Sequence, residues 1–184
     1  MGVIGKDFKF KIIKNFLSQD EIDLLSIYCE VKHRTNQKYF DTKMNNNADT
    51  YFYGDPTTDS LLIKKKNLME KETGKKLLGT YSYWRCYTKN AILKKHKDRP
   101  SCEISVTVHI NNDEQNNKWP IYMEGTPLYL EKGDAAIYLG CEIEHWRDEL
   151  KGDYQFQAFL HYVDAEGKNK NYYMDKRAYW GLPK

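Results

Sequence analysis

The chain has no long hydrophobic run, no closely paired cysteines and no large excess of charge of either sign. No apolar stretch approaches the roughly 20 residues that a membrane-spanning helix needs, so no membrane partner is expected. The four cysteines, Cys29, Cys86, Cys102 and Cys141, form no CxxC pair. The opening from Met1 to Lys6 has none of the features of a signal peptide. Reduced thiols in a cytoplasmic protein are therefore expected rather than disulfides. The 29 basic and 26 acidic residues leave a net charge of +3. A nucleic-acid partner calls for a concentrated basic face, and none is expected. Tyrosine, by contrast, is abundant. The 15 tyrosines suit a β-rich fold or a pocket with many hydroxyls.

At 184 residues one domain is expected, with a core over about 8–165 and a tail over 166–184. Phe8 to Phe16 alternates apolar and basic residues and reads as a first strand. Ser18-Gln-Asp-Glu21 is a capping-box pattern. The helix it opens should bury Ile22, Leu24, Leu25, Tyr28 and Cys29 and leave His33 solvated. Thr35 to Asp55 is polar and Asn-rich and reads as a long loop able to fold over a pocket. Asp59 to Thr73 reads as a second helix stopped by Gly74, with Lys64, Lys65 and Lys66 on a solvated face. Alternating segments then follow at Tyr81–Thr88, Ile104–Ile110, Pro120–Met123, Thr126–Leu130, Ala135–Leu139 and Tyr154–Val163. Turns at Asn111 to Asp113 and Glu131 to Asp134 punctuate them. Helices first and short strands after predict an α+β chain whose β part is a double-sheet jelly roll. The tail carries Tyr172, Tyr173, Tyr179 and Trp180. It should pack back on the body or meet another chain.

Three residues carry the chemistry. His96 and Asp98 stand one residue apart, and His145 follows about fifty residues later. That is the ligand pattern of a two-histidine, one-carboxylate site, which covers one face of Fe(II) and leaves the other open. Residues i and i+2 of a strand project the same way. His96 and Asp98 can thus point at one ion while Lys97 turns away. His145 must arrive from a distant strand, and the Glu131 to Asp134 turn and the strand Ala135–Leu139 precede it. On these residues alone zinc and a cupin-like manganese site stay open, though zinc more often takes three nitrogen or sulfur ligands. His109, which alternates with Thr107, reads as a packed imidazole. His161 reads as packed or as supporting a ligand.

With these residues in view, the stretch from Tyr87 to Asp98 resembles the strand and turn of the 2-oxoglutarate- and Fe(II)-dependent dioxygenases, in their prolyl-hydroxylase-like branch. There a tyrosine precedes the first ligand histidine by about nine residues. The opening strand with Asn15 to Glu21, and the Glu131 to Tyr138 turn and strand, resemble the same family. The likeness spans roughly residues 8 to 165. It implies a double-stranded β-helix, a cupin-like jelly roll with supporting N-terminal helices. It also implies Fe(II) held by His96, Asp98 and His145, and 2-oxoglutarate as co-substrate, lost as succinate and CO2 while a C–H bond is hydroxylated. The related iron halogenases carry Gly or Ala in place of the carboxylate, so Asp98 implies hydroxylation.

One expected feature is missing. The branch usually places Arg or Lys about ten residues after the distal histidine to hold the far carboxylate of 2-oxoglutarate, and this chain has Gln155 there. Burying that carboxylate without a cation would be costly. Arg147 shares the strand face of His145, and Arg85 that of Tyr87. Arg85 also stands where AlkB-type demethylases carry a co-substrate-binding Asn. The expected co-substrate set is therefore Tyr87 as hydroxyl donor, Arg147 or Arg85 as ion pair, and Gln155 and Gln157 as amide donors; a structural salt bridge is the competing role for either arginine. Arg99 reads as an anion contact at the mouth or a brace for the Asp98 loop. Trp84, Trp119 and Trp146 read as core or as entrance lining.

Two function classes result. One is a hydroxylase of a peptide or small molecule that uses iron, 2-oxoglutarate and an ascorbate-like reductant. The other is a non-catalytic, cupin-like metal- or ligand-binding protein. A nucleic-acid demethylase is disfavoured by the near-neutral charge and by the lack of an Arg-rich strand after His145.

Overall fold

A computed structural model describes residues 8–35, 48–113 and 119–182. Among the described residues there are ten strands: β1 (Phe10–Ile13), β2 (Ala48–Tyr53), β3 (Leu77–Thr88), β4 (Leu93–His96), β5 (Ile104–Asn112), β6 (Ile121–Met123), β7 (Thr126–Leu128), β8 (Ala135–Tyr138), β9 (His145–Arg147) and β10 (Tyr154–Asp164). They form a six-stranded sheet in the order β1-β8-β5-β10-β3-β2 and a four-stranded sheet in the order β4-β9-β6-β7. All pairings are antiparallel. This is the two-sheet jelly roll expected, with two helices, α1 (Gln19–Thr35) and α2 (Pro56–Thr73), set before most of the strands.

The register of the large sheet gives its two faces different jobs. Phe156, Ala158 and Leu160 on β10 stand beside Cys86, Trp84 and Ser82 on β3. Val106 and Val108 on β5 join them from the other side. Phe156, Ala158, Leu160, Trp84, Cys86, Val106 and Val108 pack with Leu25, Cys29, Leu61, Leu62 and Met69 of the helices into the main core. Burying each large apolar side chain contributes about 1.5–3 kcal/mol. The alternate residues Gln155, Gln157, Phe159 and His161 stand beside Tyr87, Arg85, Tyr83 and Tyr81. They face inward, between the sheets.

The capping box forms as expected. Ser18 Oγ accepts from the N–H of Glu21 at 3.3 Å, and Glu21 accepts from the N–H of Ser18 at 2.8 Å. Helix α2 begins three residues earlier than the pattern suggested. Asp55 caps it by accepting from Thr57 and Thr58, and Pro56 occupies the first turn, where a missing N–H does no harm. Gly74 ends it in the left-handed conformation, φ 69°. The expected lysine face is not simply solvated. Lys64 and Lys65 pair with Glu21, and Lys66 with Glu70. Leu24, expected on the buried side, is 65% exposed, because α1 turns Leu25 and Cys29 to the sheet. His33 bonds Thr50 Oγ1 at 2.7 Å rather than water alone.

The stretch read as a loop over Thr35 to Asp55 contains strand β2, which pairs with β3; its residues 36–47 lie outside the described ones. The tail packs back on the body. Arg177 and Asp59 form an ion pair at 2.8 Å, with both side chains 1% exposed. Arg99 donates twice to buried Asp175, at 3.1 and 2.8 Å, so it braces the loop after Asp98. Three consecutive residues there, Met174, Asp175 and Lys176, have positive φ, a conformation that each adopts only under outside constraint. Among the described residues no helix is long and apolar enough to cross a membrane.

Candidate metal centre

The small sheet brings the three candidate ligands together. β4 and β9 are only a few residues long, but they pair, and His96 stands opposite His145 in their register. The two ring centroids are 4.2 Å apart. Asp98 lies just beyond β4, where its N–H donates to the carbonyl of Gly140 at 2.8 Å. Its Oδ1 is 3.6 Å from Nε2 of His96 and 3.6 Å from Nε2 of His145. The ligand atoms of all three lie within 4.8 Å of one another, close enough to share one ion. Glycine at 140 is required sterically. A Cβ there would sit 2.3 Å from the Cys102 carbonyl oxygen and 2.5 Å from Asp98 Oδ2.

Each imidazole is oriented from behind. Nδ1 of His96 bonds the Lys94 carbonyl at 2.8 Å, and Nδ1 of His145 bonds the Ile143 carbonyl at 3.0 Å. A carbonyl only accepts, so Nδ1 carries the proton and the Nε2 lone pair faces Asp98. This is the tautomer that ligates a metal. Burial pulls His145 below its ordinary value, against the Asp98 charge that raises it. Burial alone would raise the Asp98 carboxyl. The neighbouring imidazoles, His96 foremost, outweigh it, and Asp98 lies below the usual range. One carboxylate and two imidazoles on one side are a donor set suited to Fe(II). Behind them, Ser105 Oγ lies 3.0 Å from Asp98 Oδ2 and 2.9 Å from His161 Nδ1.

A cavity of about 220 Å³ opens beside these groups, walled by Tyr81, Tyr83, Arg85, Tyr87, Phe159 and His161. Tyr87 and Arg85 of the expected co-substrate set thus line it. Arg147, Gln155 and Gln157 are buried near it rather than on its wall. Arg147 is 1% exposed. Its Nη1 donates to the Trp119 carbonyl at 2.7 Å, and its guanidinium lies 4.7 Å from the Trp119 ring centroid. The Tyr87 ring meets the same indole edge-on at 5.0 Å. Nε and Nη2 of Arg147 have no hydrogen-bond partner among the described residues. Burial lowers its pKa to about 10, although the nearby Tyr87 and Tyr138 work against that. A buried cation with two unanswered N–H groups is destabilising until an anion meets them.

Arg85 is engaged by its neighbours. Nε donates to the Tyr83 hydroxyl at 3.1 Å, and the guanidinium lies 5.0 Å from the Tyr83 ring. Gln155 donates to Gln157 at 2.9 Å, and Gln157 to Thr107 at 2.7 Å. None of the three tryptophans lines the cavity: Trp84 is in the main core, Trp119 is under Arg147 and Trp146 stacks on Tyr122. His161 stands where it was read, behind the ligand Asp98 through Ser105, while three residues at the site escaped the sequence reading: Ser105, Tyr138 and Gly140. Their only signal is strand parity, since Ser105 stands beside both Tyr138 and His161 in the register.

No family model matches the chain, and no curated protein matches it in sequence. Solved structures match it in fold. A prolyl-4-hydroxylase from Pseudomonas putida superposes with TM-score 0.67 at 14% identity, over 86% of this chain and 94% of that one. The viral collagen prolyl hydroxylase vCPH of Paramecium Bursaria Chlorella virus-1, in a 2-oxoglutarate complex, gives 0.66 at 13% identity, over 86% and 97%. HygX from Streptomyces hygroscopicus, with nickel and 2-oxoglutarate bound, gives 0.66 at 10%, over 86% and 83%. The chain therefore has a double-stranded β-helix fold. It is the fold that 2-oxoglutarate- and Fe(II)-dependent oxygenases take, in the form shared by prolyl hydroxylases.

Proposed function

We propose that this chain is an Fe(II)- and 2-oxoglutarate-dependent oxygenase that hydroxylates a C–H bond of a peptide or small-molecule substrate. The observation that carries the reading is the cross-strand pair His96 and His145, with Asp98 Oδ1 3.6 Å from both Nε2 atoms. These three residues would hold the iron on one side and leave its other side to the cavity. When bound, iron and 2-oxoglutarate supply the oxidising power, and 2-oxoglutarate leaves as succinate and CO2.

The chain's own residues bind, orient and enclose. Arg147 receives the distal carboxylate of 2-oxoglutarate through its unanswered Nε and Nη2 groups. Such a charge-assisted pair is strong where water is excluded. Tyr87 adds a hydroxyl from the cavity wall. Gln155 and Gln157 hold that wall in register through their bond to each other and offer their remaining amide N–H groups. Arg85 stays with its tyrosines as part of the wall. Tyr81, Tyr83 and Phe159 keep the site dry. Asp98 fills the position a halide would need, which favours hydroxylation over halogenation. An ascorbate-like reductant keeps the metal ferrous between turnovers.

The neighbours in fold include prolyl hydroxylases and a structure of HygX with hygromycin B bound. A peptide side chain and a small molecule are both within the reach of such a site. All four cysteines are free thiols, which supports a reducing, cytoplasmic setting.

The test is succinate formation by the purified chain with Fe(II), ascorbate and 2-oxoglutarate. Turnover above that of His96→Ala is expected even without the substrate, because decarboxylation runs slowly uncoupled. Succinate at the level of His96→Ala, with iron and 2-oxoglutarate both bound, would assign the chain to the non-catalytic class.

A further inference from the structure

Asp98 belongs to a second cluster of ligand-type groups. Its carboxylate, the Cys102 thiol and the His161 imidazole also present ligand atoms within 4.8 Å of one another. Cys102 and His161 are 2% and 5% exposed. They come from different elements. Cys102 closes the short helical turn after the Asp98 loop, and His161 is on β10. The Cys102 thiol lies 3.0 Å from the Tyr81 hydroxyl, and the Tyr81 ring lies 4.5 Å from that of His161. Ser105 Oγ joins the cluster from below, bonded to Asp98 Oδ2 and to His161 Nδ1. When the Ser105 proton goes to Asp98, Ser105 accepts from Nδ1–H of His161. The Nε2 lone pair of His161 is then the one left for a ligand. His161 lines the cavity. Without an ion, burial pushes the Cys102 thiol up to about 12 and lowers His161 to about 4, so both are neutral.

We propose that a second ion position lies at the edge of the cavity, formed by Asp98 and His161 of its wall and by Cys102 buried behind it, and that it takes a thiophilic divalent ion such as zinc. It deepens the functional reading above and rests on it for the role of Asp98, which the two positions share. One sulfur, one imidazole nitrogen and one carboxylate oxygen are a zinc donor set. Zinc–sulfur and zinc–nitrogen bonds of about 2.3 and 2.0 Å require the three atoms to close in by roughly 1 Å. Cys102 would then leave the Tyr81 hydroxyl and Asp98 would turn toward the new ion. The ion displaces the thiol proton, so each binding event releases one proton to solvent. Because Asp98 cannot serve both ions fully, occupancy of the second position weakens iron at the first. Zinc then inhibits through Cys102 rather than by simple replacement of iron.

The two positions are separated by ion type. Cadmium titrated into the metal-free full chain carrying Cys141→Ser, which removes the partly exposed thiol, reports the second position through thiolate-to-cadmium absorption in the ultraviolet. Manganese, which avoids thiolate, reports the first through its electron paramagnetic resonance signal. The cadmium band is expected to appear, to survive His96→Ala and to vanish in Cys102→Ser and Cys102→Ala. Manganese binding is expected to be lost in His96→Ala and kept in Cys102→Ser. Half-inhibition by zinc should need at least about tenfold more zinc in Cys102→Ser, as for loss of an important metal-site group. Absence of the cadmium band, or its survival in Cys102→Ser, overturns the second position and leaves the first untouched. A cadmium band with no His96-dependent manganese binding overturns the first and leaves the second.

Discussion

The two faces of the six-stranded sheet are made by the same strands and do opposite things. On β3, Ser82, Trp84 and Cys86 alternate with Tyr81, Tyr83, Arg85 and Tyr87. The first set packs on the helices or, for Ser82, bonds Asp59 of α2. The second set walls the cavity. On β10, Phe156, Ala158 and Leu160 alternate with Gln155, Gln157, Phe159 and His161 in the same way. The outer face is nearly all carbon and holds the fold together. The inner face is hydroxyl, amide, imidazole and guanidinium, and across from it Arg147, on β9 of the small sheet, is buried with Nε and Nη2 unanswered. A period of two lets one strand serve stability with half its residues and chemistry with the other half.

The sharpest way to break this comparison is to remove one large residue from the outer face and one from the small sheet that lies across the cavity from the inner face. Trp84→Ala on the outer face is expected to lower stability by about 4 kcal/mol, the usual loss for an aromatic core truncation. Denaturant unfolding reads that loss, while 2-oxoglutarate affinity of the folded fraction should not change. Arg147→Met on the inner side should do the reverse. It is expected to weaken 2-oxoglutarate by about 100-fold, near 3 kcal/mol, as for loss of one partner of a buried ion pair. Its apo stability should stay level or rise by about 1 kcal/mol, since an unpaired buried charge is gone. Calorimetric titration and denaturant unfolding together decide it. A stability loss in Arg147→Met like that of Trp84→Ala would erase the distinction.

The pH dependence sharpens it further. Burial lowers His109 and His161 to about 4, below their ordinary value. The unfolded chain thus binds protons that the folded chain refuses. Stability from each imidazole is complete above its unfolded value, near 6.5, and drains as pH falls toward 4. At about pH 5 the metal-free chain should have lost roughly 2 kcal/mol per imidazole relative to neutral pH. His109→Asn should remove one of the two shares in denaturant titrations at both pH values, and an unchanged pH slope would contradict the assignment. The smallest effect is expected behind the ligands. Ser105→Ala removes the hydroxyl on Asp98 Oδ2 and should weaken manganese binding by about tenfold. Circular dichroism should show no loss of fold.

The outer face and the convergence of His96, Asp98 and His145 were legible because each leaves a local mark. Alternation marks β3, β5 and β10, and His-x-Asp marks one ion from one strand end. Parity with His145 singled out Arg147, and the structure buries it beside Trp119. The pairing of His96 with His145 was not legible, because β4 and β9 are too short to announce themselves and only the register sets them opposite. Ser105, Tyr138 and Gly140 were not assigned their places for the same reason: their neighbours are remote in sequence. β2 was hidden by its Asn-rich approach, although Tyr51, Phe52 and Tyr53 gave it aromatic weight. Leu24 misled because a helix with apolar residues on several sides does not declare which one meets the sheet. Helix α2 starts at Pro56 rather than Asp59 because Asp55 caps it and Pro56 suits its first turn.

The central claim is that His96, Asp98 and His145 hold one ferrous ion that 2-oxoglutarate chelates from the cavity side. Anaerobic addition of Fe(II) and 2-oxoglutarate to the metal-free chain tests it most directly. The account predicts a weak visible charge-transfer absorption that saturates at one iron per chain and is absent from His96→Ala. No such absorption in the unaltered chain, or an equal one in His96→Ala, would contradict it.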